Sequence, residues 1–306
     1  MDMVLTDDEN MLRDATKGFL ETSAPIAQLR RLRDEASTDG FDRDTWNAMV
    51  EMGWAGVLVP EVHGGAAMGH GAAGVIAEEM GRTLTASPWL STAVMGATAI
   101  GEFGSTQQQD HWLPRIASGE AITAIAVDEG RSHSPECVST AAEQSGEGFR
   151  LSGAKSFVAD GHVADVLLVS ARTAGNPGDP DGITLFLVPP DAAGVTVEYR
   201  SLLDSRFSAS AELVGVEVAA DAVAGEVDKG WGPLQSVLDA GRAALAAEMC
   251  GSAQECLART VDYLKTRRQF DRPIGAFQGL QHRAAQLFAD IEIGRSAVIR
   301  ALRTLD

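Results

Sequence analysis

Gly119-Glu120-Ala121-Ile122-Thr123-Ala124-Ile125-Ala126-Val127 is the stretch on which the fold turns. Before it, apolar residues recur at helical spacing. From Ile122 onward, short β-branched runs are separated by Gly, Pro and Asp clusters. Working backwards, Thr6 ahead of Asp7-Asp8-Glu9 predicts a helix N-cap, with Met11, Phe19 and Leu20 as apolar positions. Further helices are expected over 42–52, carrying Trp46, Met49 and Val50, and over 71–83, carrying Val75, Ile76, Met80 and the pair Glu78-Glu79. Two more are expected over 91–101 and 107–117. Gly53 to Pro60 and Gly64-Gly65 break the helical pattern.

Working forwards, strands are predicted over 122–127, 149–152, 166–171, 183–188, 195–199 and 211–218, with a solvated loop over 173–182. After Lys229-Gly230-Trp231-Gly232 the helical period returns over 234–267 and 278–305, on either side of Gln269-Phe270-Asp271-Arg272-Pro273-Ile274-Gly275. The expected fold class is α+β. It comprises an N-terminal helical domain (1–119), a middle β-barrel or sandwich domain (120–228) and a C-terminal helical segment (229–306).

The net charge of −18, from 43 acidic and 25 basic residues, excludes the basic face that a nucleic-acid binder needs. A small anionic ligand remains compatible, because a few Arg side chains and backbone N–H groups suffice to hold one. Cys137, Cys250 and Cys256 form neither a metal-ligand spacing nor a disulfide framework, so no metal is expected. The opening MDMVLTDDENMLRD is acidic rather than basic-then-apolar, and no apolar run is long enough for a bilayer. The chain reads as cytoplasmic, with no membrane partner.

In that layout the residues resemble the acyl-CoA dehydrogenase family. The resemblance rests on Gly53-Trp54-Ala55-Gly56, Val59-Pro60-Glu61, Gly64-Gly65 and Glu78-Glu79-Met80-Gly81-Arg82 in the first part. Leu151-Ser152-Gly153-Ala154-Lys155-Ser156-Phe157-Val158, Ala164-Asp165, Ala171-Arg172, Asp204-Ser205-Arg206 and Lys229-Gly230-Trp231 carry it through the middle. Arg267-Arg268-Gln269-Phe270, Pro273-Ile274 and Phe277-Gln278 carry it at the end. Each is weak alone; their shared order and spacing make the match. The resemblance implies an FAD flavoprotein that removes an α proton from an acyl-CoA and passes the β hydrogen to flavin as hydride, giving a 2,3-enoyl-CoA.

The family's flavin contacts carry over residue by residue. Val127 opens the loop that meets the flavin edge, and the usual Thr-Glu-Pro-x-x-Gly-Ser pattern reads Asp128-Glu129-Gly130-Arg131-Ser132-His133-Ser134 here. Only Glu129 and Ser134 keep their places; by composition alone this is a solvated turn. Phe157, Val158 and Ala159 stand where the family has an aromatic against the flavin, an aliphatic residue and a hydroxyl near N5. Ala159 has no side-chain donor. Without the resemblance, Phe157 reads as a core aromatic on a strand. Arg267 matches the Arg that reaches the FAD diphosphate of a neighbouring subunit, with Phe270 and Gln278 as further cofactor contacts. The competing reading makes Arg267 and Arg268 a basic helix terminus.

No catalytic base is identified. A minority of the family place a Glu immediately before the Arg that is Arg242 here, and that position is Gly241. Glu248, six residues after Arg242, falls on another helix face. His63 and His70 read as surface residues of Gly-rich loops. Relative to the family, the sequence ends two helices and a Gly-Gly loop early. These departures resemble the weaker partner of bacterial α2β2 members, including those of steroid catabolism and lipid degradation. The expectation is an FAD-dependent subunit acting on an acyl-CoA, whose homologous partner supplies the base; a self-dimer is the second arrangement. The alternatives are a non-catalytic subunit that stabilises an active homologue, and a flavin oxygenase or oxidase of the same fold.

Overall fold

The computed structural model describes residues 4–35 and 37–306; Met1–Met3, at the start of the acidic N-terminal run, and Ala36 lie outside the described residues. The chain forms two compact units. One, the helical unit, contains Met1–Leu29, Gly69–Thr85 and Arg242–Asp306; the other, the sheet unit, contains Arg30–Met68 and Ala86–Gly241. None of the described helices is long and apolar enough to cross a membrane.

The helical unit is built from α1 (Asp7–Ser23), α4 (Gly69–Thr83), most of α7 (Trp231–Thr266) and α8 (Gln278–Leu305). Thr6 caps α1 as expected. Its hydroxyl accepts from the Glu9 N–H at 3.2 Å, and Glu9 returns the bond to the Thr6 N–H at 2.8 Å. Helices α4 and α7 meet backbone to backbone at two glycines. A Cβ on Gly81 would collide with the carbonyl of Glu248, and one on Gly251 with the carbonyl of Glu78. Polar pairs then tie the helices: Arg295 reaches Glu78 at 3.2 Å and Arg303 reaches Glu9 at 2.5 Å. The Glu78-to-Arg82 run is therefore scaffold, with Glu79 buried against Arg82 at 3.2 Å.

The sheet unit carries α3 (Arg43–Glu51), a π-helical stretch Leu90–Gly96 that runs into α5 (Ala97–Phe103), and α6 (Thr106–Ala117). Helix α2 (Ile26–Asp34) lies across the division between the units and was not expected. Strands β1 (Thr123–Ala126), β2 (Ala141–Ser145), β3 (Gly148–Ala159), β4 (Val166–Arg172), β5 (Ile183–Val188), β6 (Val195–Ser201), β7 (Phe207–Val218) and β8 (Val223–Ala224) form one sheet in the order β6-β7-β3-β2-β4-β5-β8. β1 joins it in parallel beside β4. A single register pair, Ala141 with Arg172, links β2 to β4, so two antiparallel layers meet at one point.

Strands β4 and β5 are buried along their whole length, as continuous apolar runs with both faces covered. Leu168, Leu185 and Leu187 pack in one core with Ile100, Leu113, Ile116, Leu234 and Val237. Edge strand β6 is mostly exposed. Two further short strands, β9 (Arg268–Gln269) and β10 (Arg272–Pro273), pair as a hairpin after α7.

Two expectations are corrected. His70 is not a surface loop residue: it lies in the first turn of α4, 8% exposed, where burial pulls the imidazole below its usual range against the nearby Asp306. His63 ends a short 3-10 turn, half-buried, 3.8 Å from Asp110.

Candidate functional site

The sheet unit presents Phe157 through a β-bulge. β3 and β7 pair Lys155 with Ala211 and then Val158 with Ala209, so Ser156 and Phe157 together oppose Ser210 alone. The extra residue sends Phe157 to φ +52, a conformation that bulky side chains avoid, and leaves its ring 56% exposed. The core-aromatic reading of Phe157 is thereby removed. Val158, next along, is 1% exposed, and Ala159 is at the surface.

A buried charge holds the base of this bulge. The Lys155 ammonium is fully buried and donates to the Val127 carbonyl (3.1 Å), Glu129 Oε1 (2.8 Å) and Ser170 Oγ (3.0 Å). Burial pulls the ammonium below its ordinary range, and Glu129 opposes that pull. Burial pushes the Glu129 carboxyl up, but Lys155 and the Thr140 bonds outweigh it and hold the group below its ordinary value. Glu129 also accepts from the N–H groups of Ser139 (2.7 Å) and Thr140 (2.9 Å). So the loop after Val127 is not a solvated turn. Glu129 keeps its place as a structural anchor, and Val127 contributes its carbonyl to the Lys155 cage.

The loop is closed further by Asp128, whose carboxylate accepts from the Ser134 N–H at 3.0 Å and meets His133 Nδ1 at 2.9 Å. The Asp128 carbonyl accepts from the Ser156 N–H at 2.7 Å, which joins this loop to the bulge. Ser134 is half-buried. Val127, Ser134, Phe157, Val158 and Ala159 are thus gathered on one end of the sheet unit by hydrogen bonds among their neighbours.

In the helical unit, α7 ends at Thr266 and Arg267 follows it, exposed, with no side-chain partner among the described residues. The β9–β10 hairpin turns on Phe270 (φ +53) and Asp271 (φ +62), the two positive angles of a type I′ turn, where Asn-Gly would be the usual choice. Phe270 is 84% exposed at the tip, 6.1 Å from the Phe277 ring, over which Arg272 sits at 4.2 Å. Gln278 begins α8 and is exposed.

Gly241 lies in the part of α7 that belongs to the sheet unit. A Cβ there would stand 2.8 Å from Met95 Sδ and 3.0 Å from Met95 Cγ, so a thioether occupies the space of any side chain at 241. Met95 and Ala159 both line a cavity of about 220 Å³, together with Asp160. The sequence reading passed over Asp160. Its signal was a carboxylate immediately after Ala159, at a position that adopts φ +57. Its Oδ2 is 2.6 Å from Ser91 Oγ, and burial pushes the carboxyl up against the opposing effects of Ser91, Arg206 and His162.

An exposed aromatic on a strained bulge, an unpaired guanidinium and a second exposed aromatic at a hairpin tip suit a planar, anionic cofactor. This is the equipment of a flavin oxidoreductase. Family models for the N-terminal, middle and C-terminal domains of acyl-CoA dehydrogenases match residues 6–120, 123–215 and 228–306. The chain belongs to the acyl-CoA dehydrogenase family, whose members are FAD-dependent oxidoreductases.

It is 31% identical over 306 residues to the mitochondrial isovaleryl-CoA dehydrogenase of Solanum tuberosum, covering 96% of this chain and 74% of that protein. To the probable acyl-CoA dehydrogenase YngJ of Bacillus subtilis (strain 168) it is 29% identical over 308 residues, 98% of this chain and 80% of that one. Among solved structures, the Tcur3481-Tcur3483 steroid acyl-CoA dehydrogenase variant superposes with a TM-score of 0.85 at 32% identity, over 96% of this chain and 77% of that one. The ChsE4-ChsE5 complex from Mycobacterium tuberculosis gives a TM-score of 0.87 at 28% identity, over 99% and 79%.

The residues fit FAD at Arg267, whose guanidinium is free to fork onto a diphosphate, and at Phe157, whose ring is free to lie on a planar system. Ala159 offers no donor. Replacing Arg267 by Ala removes a charge-assisted contact worth about 1.5–3 kcal/mol. The flavin-loaded protein should then lose FAD roughly ten- to hundredfold more readily, read as flavin fluorescence released on dilution. Unchanged retention in Arg267→Ala would remove Arg267 from the cofactor site.

Proposed function

We propose that this chain is one subunit of a two-chain, FAD-dependent acyl-CoA dehydrogenase that forms a 2,3-enoyl-CoA, with a homologous partner chain supplying the base. The observation that carries the reading is Gly241: the position has no side chain, and Met95 fills its space. Support for a partner comes from the similar Tcur3481-Tcur3483 and ChsE4-ChsE5 proteins, each described by two chain names. When bound, the flavin accepts the β hydrogen as hydride. This chain's share is to set Phe157 against the ring, hold the diphosphate with Arg267 and shape the acyl cavity beside Ala159.

The apolar side of α8 supports the same reading. Leu280, Leu287, Phe288 and Ile293 are 36%, 52%, 58% and 69% exposed, an apolar surface that a soluble protein covers with another chain. Light scattering should show an oligomer, formed with the homologous partner in preference to a self-dimer; a monodisperse monomer would sink this interface.

The decisive assay compares the chain alone with the chain co-expressed with a homologous partner, using several CoA thioesters, steroid ones included, and an artificial electron acceptor. The pair should be yellow and turn over, and the lone chain should not. Robust turnover by the lone chain would overturn the shared-base reading. A colourless pair would favour the non-catalytic, stabilising subunit.

A further inference from the structure

The cavity of about 220 Å³ beside Ala159 has an apolar wall, including Leu90, Met95 and Phe207, interrupted by Ser87, Ser91 and Asp160. Its other carboxylates are engaged: Asp39 pairs with Arg43 at 2.6 Å, and Asp204 accepts from the Arg206 N–H at 3.0 Å. Ser87 Oγ is buried and has no hydrogen-bond partner among the described residues. An apolar pocket with a few convergent polar groups is the ordinary form of a small-molecule site.

The Ser91–Asp160 contact fixes where the protons are. Ser91 Oγ lies 3.0 Å from the Pro88 carbonyl and 2.6 Å from Asp160 Oδ2. A hydroxyl carries one proton, and a Pro carbonyl can only accept. With Ser91 donating to Pro88, the 2.6 Å contact is made by an Asp160 O–H that donates to Ser91. Burial, which pushes this carboxyl up, favours the same neutral form. Neutral Asp160 then keeps Oδ1 as an acceptor, while Ser87 Oγ is free both to donate and to accept.

We propose that this cavity is the far end of the acyl pocket and is built for a hydroxyl group, which accepts from Ser87 and donates to Asp160. The substrate class is accordingly a hydroxylated acyl-CoA. This rests on the acyl-CoA reading above and adds to it the polar group that the acyl part carries. A volume of about 220 Å³, roughly seven water-sized spaces, suits the terminal portion of such a chain and not a CoA moiety.

The test is calorimetric binding of matched straight-chain acyl-CoA and ω-hydroxyacyl-CoA series, from four to twelve carbons, to the flavin-loaded protein. At the chain length that reaches the cavity, the hydroxyl should tighten binding about tenfold, the worth of one or two neutral hydrogen bonds. Ser87→Ala removes an unpartnered hydroxyl, so the protein should fold normally and the preference should shrink. Asp160→Gly, which suits the positive φ, should abolish it. Asp160→Asn should keep it, because an amide donates to Ser91 and retains a carbonyl. Equal binding of both series across all lengths would overturn the proposal while leaving the acyl-CoA reading intact. Loss of the preference in Asp160→Asn would overturn the neutral-acid account. Failure of every CoA thioester to bind would overturn both readings.

Discussion

Glu129→Ala should destabilise the sheet unit by about 3–5 kcal/mol, because it strands a fully buried ammonium at Lys155. The expected fall in melting temperature is on the order of 10 °C. Lys155→Met should cost a comparable amount by leaving a mostly buried carboxylate without its cation. Replacing both at once, Lys155→Met with Glu129→Leu, should recover most of the loss, since removing a buried pair together also removes its desolvation cost. Thermal melts of the four proteins form a double-mutant cycle, and strict additivity would show that the pair is not coupled.

The pH dependence has a definite sign. The fold holds the Glu129 carboxyl below its ordinary 4.5, so its contribution is present above that value and is lost as pH falls through the folded value. Glu129→Gln should therefore flatten the acid limb of stability below about pH 4.5, with little change at its neutral end in slope.

Much of the architecture was legible because local and global signals agree. The Thr6 cap, Trp46 and Met49 in α3, and the apolar runs of β4 and β5 all sit where spacing and β-branching place them. Helix α2 escaped notice: its nine residues hold four charges or amides, and only Leu32 is buried. Strand β2, Ala-Ala-Glu-Gln-Ser, has no β-branched residue and is held by pairing with β3. His70 looked exposed because Gly69 and Gly71 flank it, yet Gly69 starts the helix and Gly71 gives space to Arg303 and Glu9.

At the site, spacing located Phe157 but not its exposure, which depends on a bulge set by β7. Nor could spacing reveal the partners of the conserved-looking polar residues. Lys155 is committed to Glu129, and Asp165 accepts from the Ile122 N–H at 2.8 Å, so both support the site instead of entering it. Contacts of this kind join residues 26 and 43 positions apart, which no local periodicity encodes.

Gly241→Glu combined with Met95→Ala should give the lone chain the proton transfer it lacks. In the single variant Gly241→Glu, the new Cβ would stand 2.8 Å from Met95 Sδ, so the flexible thioether must swing away and will compete for the space the carboxylate needs. Shortening Met95 to Ala clears that space, and because Met95 lines the cavity beside Ala159, the new carboxylate enters that cavity. Burial there should raise its pKa toward the working pH, as a general base requires. The measurement is deuterium incorporation at the α carbon of an acyl-CoA in heavy water, followed by NMR, which needs proton abstraction and no hydride transfer. A positioned base contributes about 10²–10⁴-fold, so the double variant should exchange at least about a hundredfold faster than the parent, with Gly241→Glu between them. An isosteric control, Gly241→Gln with Met95→Ala, should exchange no faster than the parent. If the Glu and Gln double variants exchange alike, position 241 does not face the reacting carbon. The account of Gly241 as the place of a missing base would then be wrong.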